Sequence, residues 1–276
     1  MAAEEGAAPA ADPHALAALA ERTAAEAGRV AAEGQEGIGV LDTKSTPTDV
    51  VTEMDRRVEE LIRKRLLEAR PGDAVLGEEG GEEAGAADGV RWIVDPIDGT
   101  VNYLYGRQEW AVSIAAELDG RVVAGAVVAP RLDETYTAVL GAGSFCNGAP
   151  LRAGPAPDPA FALVATGFGY DPRRRAHQAE VLRSMLPRVR DIRRGGSAAI
   201  DICSLARGRA DAYYERGLNP WDWAAACLVA REAGLRVEGL RGAPPNGDLT
   251  IAAGPGLFES LHAMLEPLGA DTDGPV

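Results

Sequence analysis

The chain has 276 residues, of which 46% are hydrophobic, 25% charged and 5% aromatic, a composition typical of a globular protein with a sizeable buried core. This composition excludes disordered and fibrous architectures. Asp and Glu number 42 against 28 Lys and Arg, and the resulting net charge of −14 at pH 7 argues against nucleic acid or an anionic membrane as a partner.

Targeting and redox features favour a cytoplasmic protein. The alanine-rich first thirty residues are interrupted by Glu4, Glu5 and Glu21, which is unlike a secretory signal. No apolar run approaches the ~20 residues that a membrane span needs. The three cysteines are scattered and lack a C-x-x-C spacing, so neither a disulfide framework nor a structural zinc site is expected.

Helical spacing dominates the first quarter of the chain. Residues 1–12 are expected to form a flexible tail, and apolar residues recur at helical spacing over about 13–33. A turn-rich segment follows, in which Asp49 is positioned to cap a second helix. The apolar stripe of that helix begins at Val51 and continues to Leu66, before Pro71 and Gly72 end it. The sequence therefore predicts two helices first.

Short β-rich runs begin at Ala74, namely AVLGEE, VRWIVDP, WAVSIAAEL, RVVAGAVVAP and ETYTAVL. The proline-rich stretch APLRAGPAPDPA is the candidate boundary between an N-terminal α+β half (13–154) and a C-terminal α/β half (155–276). In the second half, strands FALVATG, ADAYYE, LRVEG and LTIAAG alternate with helices over 173–186, SAAIDICSLARGR, NPWDWAAACLVAREAG and a last helix from about 256. This order predicts layered sheets and helices.

Carboxylates stand at the ends of several predicted elements, where side chains can converge. The positions are Glu78 and Glu79 after a strand, Asp95 at a strand end before Pro96, Asp98 before Gly99-Thr100, and Asp222 at a helix start. Mg²⁺ prefers oxygen ligands of this kind. The four acids Glu78, Asp95, Asp98 and Asp222, with the Ile97 carbonyl, supply ligands for two ions. A backbone amide at Gly99 is able to approach a phosphate closely, so the pattern favours phosphate-ester chemistry.

Each feature alone has a structural interpretation as well. An Asp such as Asp222 is favoured in the first turn of a helix by the helix dipole. Glu78 and Glu79 also fit a solvated loop, Asp-Pro and Asp-Gly are common turn dipeptides, and Asp49 also fits a simple N-cap. The occurrence of all of them in one chain favours the metal site.

In this order, GEE, DPIDGT and WDWAAA resemble the inositol monophosphatase family of metal-dependent, lithium-sensitive phosphatases. The segments STPTDVVTEMD and RRGGSAAIDICSLARGRADAYYERGLNPWDWAAACLVAREAG extend the resemblance from about Lys44 to the last strands. The resemblance implies an α+β fold, a layered αβαβα sandwich of the inositol monophosphatase and fructose-1,6-bisphosphatase type. It also implies a homodimer that binds two or three Mg²⁺ ions.

The resemblance also assigns roles to residues. Glu78, Asp95 and the Ile97 carbonyl would hold one Mg²⁺, and Asp95, Asp98 and Asp222 a second, while a third, weaker ion would lie beside Glu78. Thr100, hydrogen-bonded to Asp49, would orient the attacking water, with Glu78 also counted as catalytic, and the amides of Gly99 and Thr100 would hold phosphate oxygens. The residues implied in substrate contact are Gly196, Ser197, Ala198 and Glu215.

The leading functional hypothesis is hydrolysis of a small polyol phosphate, with myo-inositol monophosphate first because YYERGLNPWD fits the inositol-type pattern. Histidinol phosphate, 3′-phosphoadenosine 5′-phosphate and fructose 1,6-bisphosphate are alternatives on the same scaffold, and a non-catalytic metal-binding regulatory protein is the alternative from another class. Departures from the usual family residues bear on substrate choice and lie at Val101, Tyr103, Trp223 and Ala225.

The run Arg173, Arg174 and Arg175 allows two interpretations. It could contact a second phosphate or carboxylate on the substrate, or form a solvated helix face, and the charge run by itself favours the solvated face.

Overall fold

This computed structural model describes residues 11–37, 39–43, 50–86 and 89–274, and the element bounds below refer to that part of the chain. The α-helices are α1 Pro13–Glu33, α2 Glu53–Ala69, α3 Thr100–Leu104, α4 Pro172–Met185, α5 Ala198–Ala206, α6 Pro220–Glu232 and α7 Pro255–Leu265. The strands are β1 Val40–Thr43, β2 Val50–Thr52, β3 Ala74–Gly77, β4 Gly81–Glu83, β5 Arg91–Asp98, β6 Ala111–Leu118, β7 Arg121–Ala129, β8 Glu134–Val139, β9 Gly143–Cys146, β10 Ala149–Pro150, β11 Leu163–Thr166, β12 Asp191–Arg193, β13 Ala212–Glu215, β14 Arg236–Glu238 and β15 Thr250–Ala253.

Two large sheets form the framework. The first has eight strands in the order β10-β9-β8-β7-β6-β5-β3-β4, and the second has five in the order β12-β11-β13-β15-β14. The first sheet is antiparallel except where β3 runs parallel to β5. The two sheets come from residues 74–150 and 163–253, on either side of the proline-rich stretch. The division of the chain into two halves at that stretch stays a prediction.

Five layers follow from which faces are apolar. Helices α1 and α2 cover one face of the eight-stranded sheet, where Trp92 and Val94 are among the buried side chains. Helices α5 and α6 lie between the two sheets, against residues such as Ile93 and Val127. Helices α4 and α7 cover the outer face of the five-stranded sheet through Met185 and other apolar residues. Alternate residues of β5 therefore face different layers, as a strand period of two requires. The predicted αβαβα sandwich is confirmed.

The start of α2 differs from the prediction. Asp49 itself lies outside the described residues, but α2 begins at Glu53 and its N-cap is Thr52, so the prediction that Asp49 caps this helix is wrong. Thr52 ends β2, which pairs with β1, and its hydroxyl and amide form a capping box with Asp55. Val51 belongs to β2, and a two-stranded hairpin separates the first two helices.

Most other elements agree with the sequence prediction, including α1, α4 and the strands β5 to β8. None of the helices in the described segments is both long and apolar enough to cross a bilayer.

Candidate active site

The ends of β3 and β5 meet at one edge of the eight-stranded sheet. The two strands are parallel and in register from Ala74 opposite Arg91 to Gly77 opposite Val94, and the amide of Glu78 donates to the carbonyl of Val94 at 3.3 Å. Glu78 and Asp95, which come directly after these paired segments, are therefore side by side. Both line a cavity of about 470 Å³ that also receives Asp98 and Asp222.

A bulge in β5 brings Asp95 and Asp98 to the same cavity. Residues three apart on a regular strand point to opposite faces. Here the pairing of β5 with β6 shifts register between Asp95, opposite Ser113, and Asp98, opposite Ala111. The amide of Ile97 donates to Asp95 Oδ1 at 3.0 Å within the bulge. Asp95, Asp98 and Asp222 each place one oxygen within 4.8 Å of the others.

Asp98 is fixed by the start of α5. Its Oδ2 accepts from the Ser197 hydroxyl at 2.6 Å and from the Ala199 amide at 2.7 Å, while Ser197 also caps α5. Burial raises the pKa of Asp98 to about 6, and these hydrogen bonds oppose part of the increase. The carboxylate is thus held in a defined orientation by the helix terminus.

Asp222 belongs to the first turn of α6 and faces the other acids. Its Oδ2 accepts from the amide of Asn219 at 2.6 Å in a capping box. Burial, followed by the charges of Glu78 and Asp98, raises its pKa well above the usual range. Several converging carboxylates cannot all be ionised at low cost without a cation between them. The donor set is one of oxygens only, so these residues fit Mg²⁺.

Thr100 follows Gly99 at the mouth of the same cavity. Gly99 has φ +96°, and a Cβ there would lie 3.1 Å from the Glu109 carbonyl oxygen, so glycine is required. The Thr100 hydroxyl has two acceptors at 3.1 Å, Asp55 Oδ1 and the carbonyl of Ile97. The predicted Asp49 partner lies outside the described residues.

Asp55 is the site residue that sequence reasoning missed. It is fully buried, and its other oxygen, Oδ2, accepts from the amide of Thr52 at 2.8 Å and from the Thr52 hydroxyl at 2.5 Å. The signal that could have found it is the spacing Thr52-x-x-Asp55 directly before a helical stripe, which is a capping box. Its Oδ1 accepts from the Thr100 hydroxyl.

Three of the four residues predicted to contact substrate line the cavity. Gly196, Ala198 and Glu215 line the cavity, whereas Ser197 is 1% exposed and lies behind the wall, where it supports Asp98. Glu215 accepts from the Tyr213 hydroxyl at 2.5 Å, and burial raises its pKa to about 7. Ser197 therefore affects the site through Asp98.

Glu59 holds the turn that carries Glu78. Its carboxylate accepts from the amides of Glu79 at 2.7 Å and Gly80 at 2.8 Å, and it pairs with Arg63 at 2.9 Å. Glu59→Gln replaces one acceptor oxygen with an NH₂ group, which cannot accept an amide hydrogen. We expect the Mg²⁺ concentration for half-maximal activity to rise by about tenfold, as for other residues that orient metal ligands.

A Mg²⁺ titration of phosphate release measures this effect. Glu60→Gln is the matched control, since Glu60 is the next residue of α2 and is exposed. An unchanged half-maximal Mg²⁺ concentration in Glu59→Gln would show that the turn keeps its position without this carboxylate.

Comparison with known proteins agrees with the site. The model of the "Inositol monophosphatase family" matches residues 12–269. Inositol-1-monophosphatase SuhB of Mycobacterium tuberculosis is 44% identical over an alignment of 276 positions that covers 92% of this chain and 94% of the relative. Nus factor SuhB of Vibrio cholerae is 37% identical over 231 residues, or 83% and 86% of the two chains. The solved structure of Mycobacterium tuberculosis SuhB gives a TM-score of 0.81 at 41% identity, covering 95% of this chain and 99% of that chain. The chain belongs to the inositol monophosphatase family.

Proposed function

We propose that this protein is a Mg²⁺-dependent phosphomonoesterase that acts on a small polyol phosphate, with myo-inositol monophosphate as the leading substrate. The observation that carries the proposal is the convergence of Asp95, Asp98 and Asp222 beside a threonine hydroxyl that is held by a buried carboxylate. Phosphoryl transfer to water depends mainly on charge neutralisation and in-line positioning, and this arrangement supplies groups for both.

The ion-binding residues are assigned as follows. Glu78, Asp95 and the carbonyl of Ile97 would hold one Mg²⁺, and Asp95, Asp98 and Asp222 a second, with a third, weaker ion beside Glu78. When bound, such ions acidify a coordinated water and neutralise charge on the phosphate and on the departing alcohol oxygen. Asp95 and Asp98 are 1% and 7% exposed, so little bulk water competes for their oxygens.

Thr100 and Asp55 form the proton-handling pair. The Thr100 oxygen is able to accept a hydrogen bond from the attacking water while its own proton is directed to Asp55 Oδ1. Asp55 is kept as an acceptor because its other oxygen already takes two hydrogen bonds from Thr52. The amides of Gly99 and Thr100, at the start of α3, would bind phosphate oxygens.

The polyol would lie against Gly196, Ala198 and Glu215. The Glu215 carboxylate faces the cavity and is a hydrogen-bond acceptor for vicinal hydroxyls when ionised. Inositol and related polyols share vicinal hydroxyls beside the ester oxygen. A carboxylate acceptor at this position therefore favours this class of alcohol.

Initial-rate phosphate release across a panel of esters, with Mg²⁺ titrated, tests the proposal. The panel contains myo-inositol monophosphate, histidinol phosphate and 3′-phosphoadenosine 5′-phosphate. We expect Mg²⁺-dependent release, fastest from the inositol ester, and inhibition by lithium. Because one relative carries the name Nus factor, a non-catalytic regulatory role is the second candidate. Bound Mg²⁺ with no phosphate release from any ester would favour that role.

The proposal includes a homodimer in the cytoplasm that binds neither nucleic acid nor membrane. Light scattering on the purified protein measures the mass of the particle, and a monomer at micromolar concentration would contradict the dimer.

Stabilisation by Mg²⁺ is expected to depend on pH. Burial raises the pKa of Asp98 to about 6 and of Glu215 to about 7. The folded, metal-free protein therefore holds protons that the unfolded chain has lost, and the contribution of these groups to stability falls as pH rises from about 4 to 7. Mg²⁺ binds the ionised carboxylates, so the increase in Tm that Mg²⁺ produces should become larger as pH rises.

Thermal unfolding with and without saturating Mg²⁺ measures this trend. We expect Mg²⁺ to raise Tm by roughly 5 °C near pH 8, for a concentration about a hundredfold above Kd. Near pH 5.5 the increase should be less than half as large. Equal increases at both pH values would contradict a metal site in which Asp98 must lose a proton before Mg²⁺ binds.

A further inference from the structure

We propose that the cavity contains a second anion-recognition site, built on Arg174, for a phosphate or carboxylate remote from the ester that is hydrolysed. This inference rests on the proposed function and narrows its substrate class. Within the proposed class of polyol esters, a derivative that carries a second anionic group is preferred to the corresponding simple monophosphate.

The arginine run on α4 divides between solvent and the cavity. Arg173 and Arg175 are exposed, whereas the side chain of Arg174 is 28% exposed and lines the same cavity as the carboxylates. A solvated helix face does not require one of three consecutive arginines to be withdrawn into a cavity wall. The arrangement favours the functional interpretation for Arg174 only.

A carboxylate near the end of the chain braces Arg174. Asp273 Oδ1 accepts from Arg174 Nε at 2.8 Å and from Arg216 Nε at 2.9 Å. Arg216 is in turn held by the Asp248 carbonyl oxygen at 3.0 Å. The two guanidinium groups hold the pKa of Asp273 well below its usual range, so the brace stays ionised near neutral pH.

Two glycines keep space for the Arg174 side chain. A Cβ at Gly217 would lie 2.4 Å from Arg174 Nη1, and a Cβ at Gly169 would lie 2.7 Å from Arg174 Cδ. Gly217 also has φ +94°, where side chains are rarely accommodated. The Arg174 side chain therefore passes between two backbone segments of the cavity wall, and with Nε bound to Asp273 it is partly ordered before a ligand binds.

The Arg174 guanidinium group retains unused donors. Asp273 takes the Nε hydrogen, and among the described residues no hydrogen bond from Arg174 Nη1 or Nη2 to a protein acceptor is found. Asp171, which also lines the cavity, has its Oδ1 engaged by the amides of Arg173 and Arg174. A planar group with free paired N–H donors matches two oxygens of a phosphate or carboxylate.

Arg194 adds a third arginine to a cavity wall that also carries Arg174 and Arg216. It is exposed, and in the described segments it has no ion-pair partner within 4 Å. Its Nη1 would lie 2.5 Å from a Cβ at Gly196, beside the residues that hold Asp98. On the part of the wall formed by residues 167–171, Arg174 and 215–217, the positive groups are Arg174 and Arg216, which share Asp273 Oδ1. Arg216 directs Nη1 to the Asp248 carbonyl oxygen, whereas the Nη donors of Arg174 have no protein acceptor among the described residues.

Steady-state kinetics on matched substrate pairs test the inference. The pairs are myo-inositol monophosphate against a myo-inositol bisphosphate, and a polyol phosphate against the corresponding sugar-acid phosphate. We expect the wild type to prefer the member with two anionic groups in at least one pair. The pair that shows the preference identifies the second group as phosphate or carboxylate. Arg174→Gln should lower kcat/KM for that substrate by about tenfold or more, mainly through KM. Its kcat/KM for the partner with a single anionic group should change less than about threefold.

Control variants separate recognition from folding. Arg173→Gln should leave kcat/KM for both substrates of the pair unchanged. Arg174→Lys should retain part of the preference, since charge is kept and the paired donors are lost. Asp273→Asn removes the charge that holds Arg174 Nε, so it should raise KM for the substrate with two anionic groups while kcat stays the same. Thermal unfolding of each variant checks that the fold is intact.

Two outcomes would overturn the inference. The first is that the wild type hydrolyses phosphate esters with no preference for a second anionic group, or that Arg174→Gln lowers kcat/KM equally for both members of a pair. Arg174 then has no recognition role, and the proposed function still stands. If no ester is hydrolysed at any Mg²⁺ concentration, both the proposed function and the inference fail.

Discussion

Asp95→Asn is expected to reduce kcat by roughly a thousandfold or more, because loss of a ligand shared by two ions removes several kcal/mol of transition-state stabilisation. In the proposed assignment Asp95 is the only side chain common to both ions. An Asn keeps the shape and the acceptor that the Ile97 amide uses at 3.0 Å, so the β5 bulge should survive. Thermal unfolding in the absence of metal should therefore change little.

The distinguishing measurement is the response of that variant to Mg²⁺. The wild type should gain thermal stability on Mg²⁺ addition, and Asp95→Asn should lose most of the gain. Asp119→Asn is the matched control, since Asp119 is exposed in a turn with φ +49°, a conformation that Asn tolerates. A near-normal rate in Asp95→Asn would show that the acids converge for another purpose.

Elements with a strong periodic pattern were predictable. The 13–33 helix and the strand around Trp92 follow from apolar spacing. The acids after β3, in β5 and at the start of α6 indicated where the cavity would lie. The convergence of Asp95 and Asp98 was harder to derive, because it depends on a register shift against β6 that local sequence does not specify. The motif Asp-Pro-x-Asp-Gly predicts a turn, and a turn allows the two carboxylates to converge without requiring it.

Residues that act through tertiary contacts were the ones that sequence reasoning missed or assigned differently. Ser197, which was predicted to contact substrate, also donates to Asp98 across 99 positions of sequence, and this second contact was not predicted. Glu59, on a helix that pattern analysis treats as a buried stripe with a polar face, supports the turn of Glu78. Neither contact has a local signature, since each depends on how α5 and α2 pack against the edge of the sheet.

The pairing of Thr100 with Asp55 leads to the second large expected effect. Thr100→Ala and Asp55→Asn should each lower kcat by about a hundredfold or more, the usual range for loss of a general acid–base group. If the two residues pass one proton, the double variant should be little worse than either single variant, because the second substitution removes a function already lost. Thr100→Ser, which keeps the hydroxyl, should retain most of the activity.

Stability separates the two roles of Asp55. Its Oδ2 closes the capping box with Thr52, and the loss of a helix cap costs about 1 kcal/mol, so Asp55→Asn should lower Tm by a few degrees. Thr100→Ala removes no cap and should leave Tm nearly unchanged. Multiplicative losses of kcat in the double variant would mean that Thr100 and Asp55 act independently. The hydroxyl would then position water without passing its proton to Asp55, and the burial of that carboxylate would serve only the start of α2.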